Sequence, residues 1–280
     1  MEHDHNVSAS VRLKWFGRTD RGKVRQNNED AFLGLQFNAR EVYHLGRLGE
    51  ASITTMDFAF AVSDGIGGAR AGECASRITM DKTTVFLPKL FKLFATGLEP
   101  GFADAFTELF DRIHRALLFV GSSYEECSGM EATLSLCWFT PGWMYFGHIG
   151  DSRIYYLPAR SGGIRQLSED DTHVGWLFRT GKLNEGEARR HPRRNVLQKA
   201  LGGGNQFITP QVGAVAYEAG DIFLLCTDGV VDGLYNHHLL EYLRPTKPWG
   251  PTDDPAHRLV EAALEQSGRD NTTALVIQIL

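Results

Sequence analysis

The sequence predicts a domain built from two packed β-sheets with helices outside them, and three observations support this prediction. Many short segments are rich in β-branched and aromatic residues and end in Gly, Asp or Pro, which is typical of strands. Several of them, such as FAFAVSDG and IFLLCTDG, are almost wholly apolar, as strands buried on both faces are. Only a few long helical segments interrupt these strands, a pattern that does not favour parallel βαβ units.

The strand pattern recurs along most of the chain. Strands are predicted at residues 14–17, 31–37, 58–62, 132–139, 143–149, 153–157, 222–226 and 273–279. The insertion at 37–55 is polar and irregular, and no function follows from it. The Arg-rich stretch 168–205 is mixed and polar, which indicates a surface insertion or flap.

Three long helices are predicted. The first, 72–87, follows a glycine turn. The second, 102–119, has apolar residues at i, i+3, i+4 and i+7 and begins just after Pro100. The third, 254–266, repeats that pattern and ends at Ser267-Gly268.

Composition limits the possible classes of protein. Residues 1–10 are predicted to be a disordered tail, and 11–280 a single domain without linkers or repeats. The formal net charge of −5 gives no reason to expect binding to nucleic acid or to an anionic membrane. No apolar run approaches the roughly 20 residues of a membrane helix, and the polar N-terminus does not resemble a signal peptide. The four scattered cysteines indicate reduced side chains in a cytoplasmic protein.

The candidate chemistry lies where apolar strands run into acidic residues. Four aspartates stand at such points, and an acidic pair precedes a fifth strand: Asp64, Asp151, Asp228, Asp270 and the pair Glu29-Asp30. Each one alone is better explained by an ordinary turn, since Asp-Gly and Asp-Asn are favoured turn dipeptides. Together, however, carboxylates at strand ends converge easily on one rim, where they would repel each other unless a cation lay among them.

The residue types favour a hard divalent cation. Oxygen ligands suit Mg²⁺ or Mn²⁺ better than Zn²⁺, and the histidines and cysteines show no zinc-ligand spacing. Gly65 would allow a backbone carbonyl to approach a metal directly.

Five ordered motifs carry a resemblance to a known family. They are Val24-Arg25-x-x-Asn28-Glu29-Asp30, Asp64-Gly65-x-Gly67-Gly68, Gly150-Asp151-Ser152-Arg153, Thr227-Asp228-Gly229 and Asp270-Asn271. In order and spacing they resemble the type 2C (PPM) metal-dependent serine/threonine protein phosphatases, bacterial branch, over about residues 14–280. The stretches Ser168–Thr172, His191-Pro192 and 200–202 resemble that family's flap. The resemblance implies an α+β fold, a four-layer αββα sandwich with two central antiparallel sheets.

The resemblance also implies roles for individual residues. Asp64 would bridge two Mn²⁺ or Mg²⁺ ions, and Asp228 and Asp270 would complete the first. The Gly65 carbonyl would bind the second, with Glu29 holding its waters. Three further roles complete the set: Asp151 would join Asp228 at a looser third ion, Asp30 and Asn271 would lie behind the ligands, and Arg25 would clamp the substrate phosphate.

The reaction implied is hydrolysis of phosphoserine and phosphothreonine on proteins by a metal-activated water. Phosphorylated proteins would be the substrates and a Hanks-type kinase the opposing enzyme. Two other functions stay open: an inactive pseudophosphatase that serves as a binding module, and a phosphohydrolase for small phosphate esters.

Some positions depart from the family pattern. Ile66 stands where some members have a histidine, so His148 is either a general acid or a structural residue, and we expect the structural role. Glu131 near the predicted rim is unusual, and it either alters the site or faces solvent. The flap arginines either recognise acidic segments or form a solvated helix face: Arg179, Arg189, Arg190, Arg193 and Arg194.

Overall fold

The computed structural model describes residues 11–67, 70–95, 101–204, 208–244, 249–250 and 252–280. The predicted tail at 1–10, and Gly68 of the second motif, lie outside the described residues. The strands are β1 Arg12–Asp20, β2 Asp30–Phe37, β3 Val42–His44, β4 Leu48–Ser52, β5 Asp57–Ile66, β6 Glu131–Ala132, β7 Leu134–Thr140, β8 Trp143–Ile149, β9 Arg153–Leu157, β10 Arg165–Gln166, β11 Leu201–Gly202, β12 Gln211–Ala216, β13 Ile222–Cys226 and β14 Thr272–Ile279. The helices are α1 Ala71–Ala95, α2 Phe102–Ser123, α3 His173–Arg179, α4 Glu185–Arg190, α5 Asp228–Gly233, α6 Asn236–Leu243 and α7 Pro255–Gln266, with a 3₁₀ turn at Glu125–Cys127.

The strands form two sheets. The six-stranded sheet has the order β10-β9-β13-β14-β1-β4. The eight-stranded sheet has the path β11-β6-β5-β7-β8-β12, and β2 pairs with both β3 and β5. All the pairings in both sheets are antiparallel, which confirms the predicted antiparallel sheets.

Three apolar cores separate four layers. The first lies between α1, α2 and the eight-stranded sheet, and the third between the six-stranded sheet and α5, α6 and α7. The middle core fills the space between the sheets and is rich in aromatic residues. Along β5, Phe58, Phe60 and Val62 enter the middle core, whereas Ala59 and Ala61 face the helices. Because both faces of this strand are buried, its sequence is apolar without alternation.

The predicted elements are found, with differences in their bounds. Residues 132–139 were predicted as one strand, but the ladder breaks at Thr133 between β6 and β7. Helix α1 continues past Pro88, because Leu90 still packs into the core. The insertion at 37–55 is not wholly irregular, since β3 and β4 lie within it and β4 pairs with the edge of β1.

None of the helices in the described ranges combines the length and apolar character that crossing a membrane requires.

Candidate functional site

Asp64 lies inside the most enclosed strand of the eight-stranded sheet. We expected it just after the strand, but β5 continues through Ile66. Thr133, where the ladder is interrupted between β6 and β7, fixes the position of Asp64. The Asp64 backbone N–H donates to Thr133 Oγ1 at 2.9 Å, and the Thr133 N–H donates to the Asp64 carbonyl at 2.9 Å. The two bonds fix the backbone from which the Asp64 carboxylate reaches the cleft.

Gly65 is packed against the first turn of α1. A Cβ built on Gly65 would come within 1.9 Å of the Gly72 carbonyl oxygen, so no side chain fits there. The Gly65 N–H donates to the Glu29 carbonyl at 3.1 Å, which joins the fifth strand to the loop before β2. The structure thus places Gly65, Glu29 and Asp64 side by side.

Asp30 joins the two sheets behind this point. Its Oδ2 accepts hydrogen bonds of 2.7 Å from both Thr227 and Thr273, which belong to the six-stranded side, whereas Asp30 itself begins β2. It is buried and does not line the cleft. Burial raises the pKa of Asp30 to about 7, although the two threonine hydroxyls oppose the rise.

Asn271 ties down the loop that carries Glu29. Its Oδ1 accepts from the Glu29 N–H at 2.8 Å, and its Nδ2 donates to the carbonyls of Arg21 and Asn27 at 2.8 and 2.9 Å. The side chain is 3% exposed. It therefore acts as a support for the loop and, like Asp30, lies behind the cleft.

Five of the six predicted carboxylates converge on one cleft of about 460 Å³. They reach it from separate elements: the loop before β2, strand β5, the β8–β9 turn, the start of α5 and the loop before β14. The cleft is lined by Glu29, Asp64, Asp151, Asp228 and Asp270, together with Val24, Arg25, Gln26, Asn27, Gly65, Ile66, Gly67, Asn195 and Leu197. Asp228 was predicted in a turn, but it is the first residue of α5.

The carboxylates repel one another strongly. Burial, and then the neighbouring carboxylates, raise the pKa of Asp64 and Asp228 well above the ordinary range. Burial and the charge of Asp170 raise the pKa of Asp151 to about 7. Asp228 Oδ1 is buried and no hydrogen bond reaches it within the described part of the chain. Uncompensated negative charge of this kind favours a cation.

One arginine and one asparagine donate hydrogen bonds to carboxylates of the cleft. Arg25 donates to Asp270 Oδ2 at 2.7 Å and lies 3.8 Å from Glu29. Asn195 Nδ2 donates to Asp228 Oδ2 at 3.1 Å. Nearly half of the Arg25 side chain is exposed, so its guanidinium stands at the mouth of the cleft.

The ligand atoms in the cleft are of the type that a hard divalent cation prefers. All the donors are oxygen atoms, and Asp228 contributes an unsatisfied one. Within the described ranges, however, no three acidic, histidine or cysteine side chains stand close enough around one point to hold an ion as they are. Arg25 occupies one oxygen of Asp270 and Asn195 one oxygen of Asp228, so an ion would share these two carboxylates with them.

The flap is anchored beside Asp151. Arg153 makes a two-pronged ion pair with Asp170, at 2.9 and 2.7 Å, and also donates to the Tyr155 hydroxyl at 3.0 Å. The Gly150 N–H donates to Asp171 Oδ2 at 3.1 Å, and the Asp171 N–H donates to the Gly150 carbonyl at 2.7 Å. The flap thus begins on the same turn that carries Asp151.

Two flap arginines have roles that neither prediction described. Arg189 donates to the carbonyls of Val231 and Leu234, and Arg194 pairs with Asp232 at 2.7 Å. Both bind the end of α5 and are only partly exposed. The other three flap arginines lie nearer solvent: Arg179 pairs with Glu169, and Arg190 and Arg193 are exposed.

His148 is a structural residue. It is fully buried, its Nδ1 shares a 2.8 Å hydrogen bond with Ser135, and its Nε2 lies 3.0 Å from the Gly150 carbonyl. Burial lowers the pKa of His148, so the ring is neutral. It does not line the cleft, whereas Ile66 does and cannot transfer a proton.

Glu131 turns away from the cleft. It pairs in register with Ile66 and Gly202, and its partly buried side chain lies beside the 202–204 turn. Burial raises the pKa of Glu131, and a hydrogen bond with the Gly204 backbone opposes the rise. It is not among the residues that line the cleft.

Two residues at the site were not predicted. Arg153 belongs to a quoted motif, and a charged residue inside an apolar strand is a signal that could have indicated a buried ion pair. Asn195, which holds Asp228, carries no local signal.

The chain is similar to known phosphatases. The family model described as Protein phosphatase 2C matches residues 50–265. The serine/threonine protein phosphatase PstP of Mycobacterium tuberculosis is 32% identical over 271 residues, which cover 96% of this chain but only 45% of the relative. The serine/threonine phosphatase stp of Listeria innocua is 27% identical, and the match covers 93% of this chain and 94% of the relative.

A solved structure agrees with the fold. The catalytic domain of PstP, in complex with two manganese ions, superimposes with a TM-score of 0.73 at 29% identity and covers 97% of this chain and 100% of that one. This chain spans less than half of the full length of the mycobacterial relatives that it matches. Since the family model spans most of the chain and the αββα layers agree, this chain belongs to the protein phosphatase 2C family.

Proposed function

We propose that this chain hydrolyses phosphoserine and phosphothreonine on proteins, by attack of a metal-activated water. One observation carries the proposal: five carboxylates from five separate segments line one cleft, with an arginine at its mouth. Such a concentration of buried negative charge destabilises the fold unless a cation offsets it. The names of the relatives support phosphoproteins as the substrates.

The proposed ligands follow the placement of the carboxylates. Asp64 would bridge two ions of Mn²⁺ or Mg²⁺. Asp228 and Asp270 would hold the first, and the Gly65 carbonyl the second, with Glu29 orienting its waters. Asp151 would share a looser third ion with Asp228. The two manganese ions in the PstP structure support the count of two.

Arg25 would bind the phosphate. A guanidinium presents parallel N–H donors that match two phosphate oxygens. Its present partner, Asp270, is one of the proposed ligands, so an ion on Asp270 would release Arg25 toward the substrate. The two events are coupled because the Asp270 oxygen that accepts from Arg25 would face the ion instead.

When bound, divalent ions lower the pKa of a coordinated water and offset charge on the phosphate. The residues of the chain supply the geometry. Asp30, Asn271 and Thr133 hold the ligands rigidly from behind, and the apolar Val24 and Ile66 flank the cleft mouth. The described residues that line the cleft include no histidine, and the carboxyl groups there are assigned to metal, so we propose that water protonates the leaving serine or threonine oxygen.

Three finer points remain part of the proposal: a Hanks-type kinase as the opposing enzyme, a cytoplasmic location, and preference for phosphoproteins over small esters. The alternative of an inactive binding module does not explain the repulsion among Asp64, Asp151 and Asp228, which serves no purpose without an ion.

The test is phosphate release from a phosphothreonine peptide with Mn²⁺, and then with EDTA, by the wild type and Asp228→Asn. Asp111→Asn, a carboxylate on the outer face of α2, is the matched control. We expect activity that needs metal, is lost in Asp228→Asn and is retained in the control. A folded wild type that releases no phosphate from phosphothreonine or phosphoserine peptides would contradict the proposal, and Mn²⁺ titration by calorimetry would then test the binding-module alternative. Rates on a small phosphate ester, measured alongside, decide between the two classes of substrate.

A further inference from the structure

Two of the four cysteines stand in contact with each other. The Sγ of Cys127 donates to the Sγ of Cys74 at 4.0 Å, and neither residue is in a disulfide. Cys127 is buried, whereas Cys74 is partly exposed. The other two cysteines, Cys137 and Cys226, are completely buried in strands β7 and β13.

The two cysteines connect the start of α1 with the 3₁₀ turn after α2, and both of these segments lie close to the backbone of the cleft. Cys74 lies in the first turn of α1, two residues after Gly72, which packs on Gly65. Cys127 ends the 3₁₀ turn after α2, just before Gly129 and Met130.

The segment after Cys127 also touches the loop that follows Asp64. A Cβ built on Gly67 would lie 3.1 Å from Met130 Cα and 3.2 Å from Ala71 Cβ, so the loop passes closely between Met130 and Ala71.

We propose that Cys74 and Cys127 form a reversible disulfide when the protein meets a hydroperoxide. The separation must fall from 4.0 Å to the roughly 2 Å of a sulfur–sulfur bond. Cys74 is in the first turn of its helix and Cys127 in a short 3₁₀ turn, so side-chain rotation and a small backbone shift can close this gap. Neither residue lines the cleft or holds one of the proposed metal ligands.

The chemistry balances in two steps. The more exposed Cys74 attacks one peroxide oxygen as a thiolate, which gives a sulfenic acid and releases the alcohol or water. The thiolate of Cys127 then attacks the Cys74 sulfur and displaces hydroxide, which leaves as water. In total, two thiols and one hydroperoxide give one disulfide, one alcohol and one water.

The surroundings make the dithiol the resting state. Burial, and then the contact with Cys127, raise the pKa of the Cys74 thiol, so its reaction with peroxide should be slow at neutral pH and become faster as the pH rises. Because the oxidised pair would tie α1 to the end of α2, it closes a loop in the unfolded chain and raises the melting temperature.

The experiment uses the whole chain in EDTA, so that its outcome does not depend on phosphatase activity. The protein is treated with hydrogen peroxide, free thiols are counted after denaturation, and proteolytic fragments are identified by mass spectrometry. We expect the count to fall from four to two, a fragment that links Cys74 to Cys127, and full recovery with dithiothreitol. The oxidised protein should melt at a higher temperature than the reduced one.

Two variants keep the test decisive. Cys74→Ser changes the more exposed partner and is expected to fold, and it should form neither the linked fragment nor the stabilised species. Cys127→Ala tests the same pair from the buried side. The inference is overturned if Cys74 collects oxygen adducts while Cys127 stays a free thiol, or if the only disulfide formed joins two separate chains.

Discussion

The ion pair between Arg153 and Asp170 should contribute much of the stability of the flap. Asp170→Asn keeps the shape of the side chain but removes its charge. The partner that would lose this charge is the Arg153 side chain, of which only 23% is exposed. Removing one partner of a buried pair costs about 3–5 kcal/mol, because the other charge is left uncompensated. Since both side chains retain some exposure, we expect a loss of about 3 kcal/mol in the free energy of unfolding. That corresponds to a melting temperature lower by roughly 6 °C or more.

The assay is urea unfolding followed by tryptophan fluorescence, with limited trypsin digestion to report on the flap. Glu218→Gln is the matched control, because it breaks the exposed pair with Arg160 and should cost less than about 1 kcal/mol. Adding Arg153→Met to Asp170→Asn should recover part of the loss, since it removes the orphaned charge. Equal stability of Asp170→Asn and Glu218→Gln would refute the reasoning.

Three further changes test other parts of the structure. Arg25→Ala should lower kcat/KM for a phosphopeptide by about 10²-fold, because one preorganised hydrogen-bond donor to the phosphate is lost. Steady-state kinetics would show an unchanged rate if the guanidinium does not bind substrate. Burial raises the pKa of Asp57 to about 6. The folded state therefore holds the Asp57 proton more tightly, so the contribution of Asp57 to stability is greatest below about pH 4 and falls by up to about 3 kcal/mol as the pH rises through about 6; Asp57→Asn should remove that part of the pH dependence of unfolding. Gly65→Ala should lower the denaturation midpoint strongly, since the new Cβ would lie 1.9 Å from the Gly72 carbonyl oxygen, whereas Gly46→Ala, where the nearest atom is 3.7 Å away, should not.

The parts of the site that could be predicted are those with a local signal. Asp64, Asp228 and Asp270 each follow or precede an apolar run, and that pattern is visible in a few residues of sequence. The buried strands that position them were predictable for the same reason. The bounds of the strands were less predictable, because the continuation of β5 past Asp64 depends on its pairing with β6, a segment distant in the chain.

The parts that could not be predicted depend on partners distant in the chain. Arg189 and Arg194 look like a solvated charge run, yet their partners lie some 40 residues further along, at the end of α5. Asn195 meets Asp228 only through the folded flap. Strand β4 is short, polar and at a sheet edge, where one face meets solvent and no apolar run develops.

The cleft draws its walls from both sheets. Glu29 and Asp64 come with the eight-stranded sheet and Asp228 and Asp270 with the six-stranded one, so the thickness of the aromatic layer between the sheets, together with the hydrogen bonds of Asp30, sets their spacing. Within that layer Phe139 meets Phe223 edge-on, with ring centroids 5.3 Å apart. A change in ring size there would narrow or widen the cleft from a distance, so the spacing of the proposed metal ligands can change without a substitution in any of them.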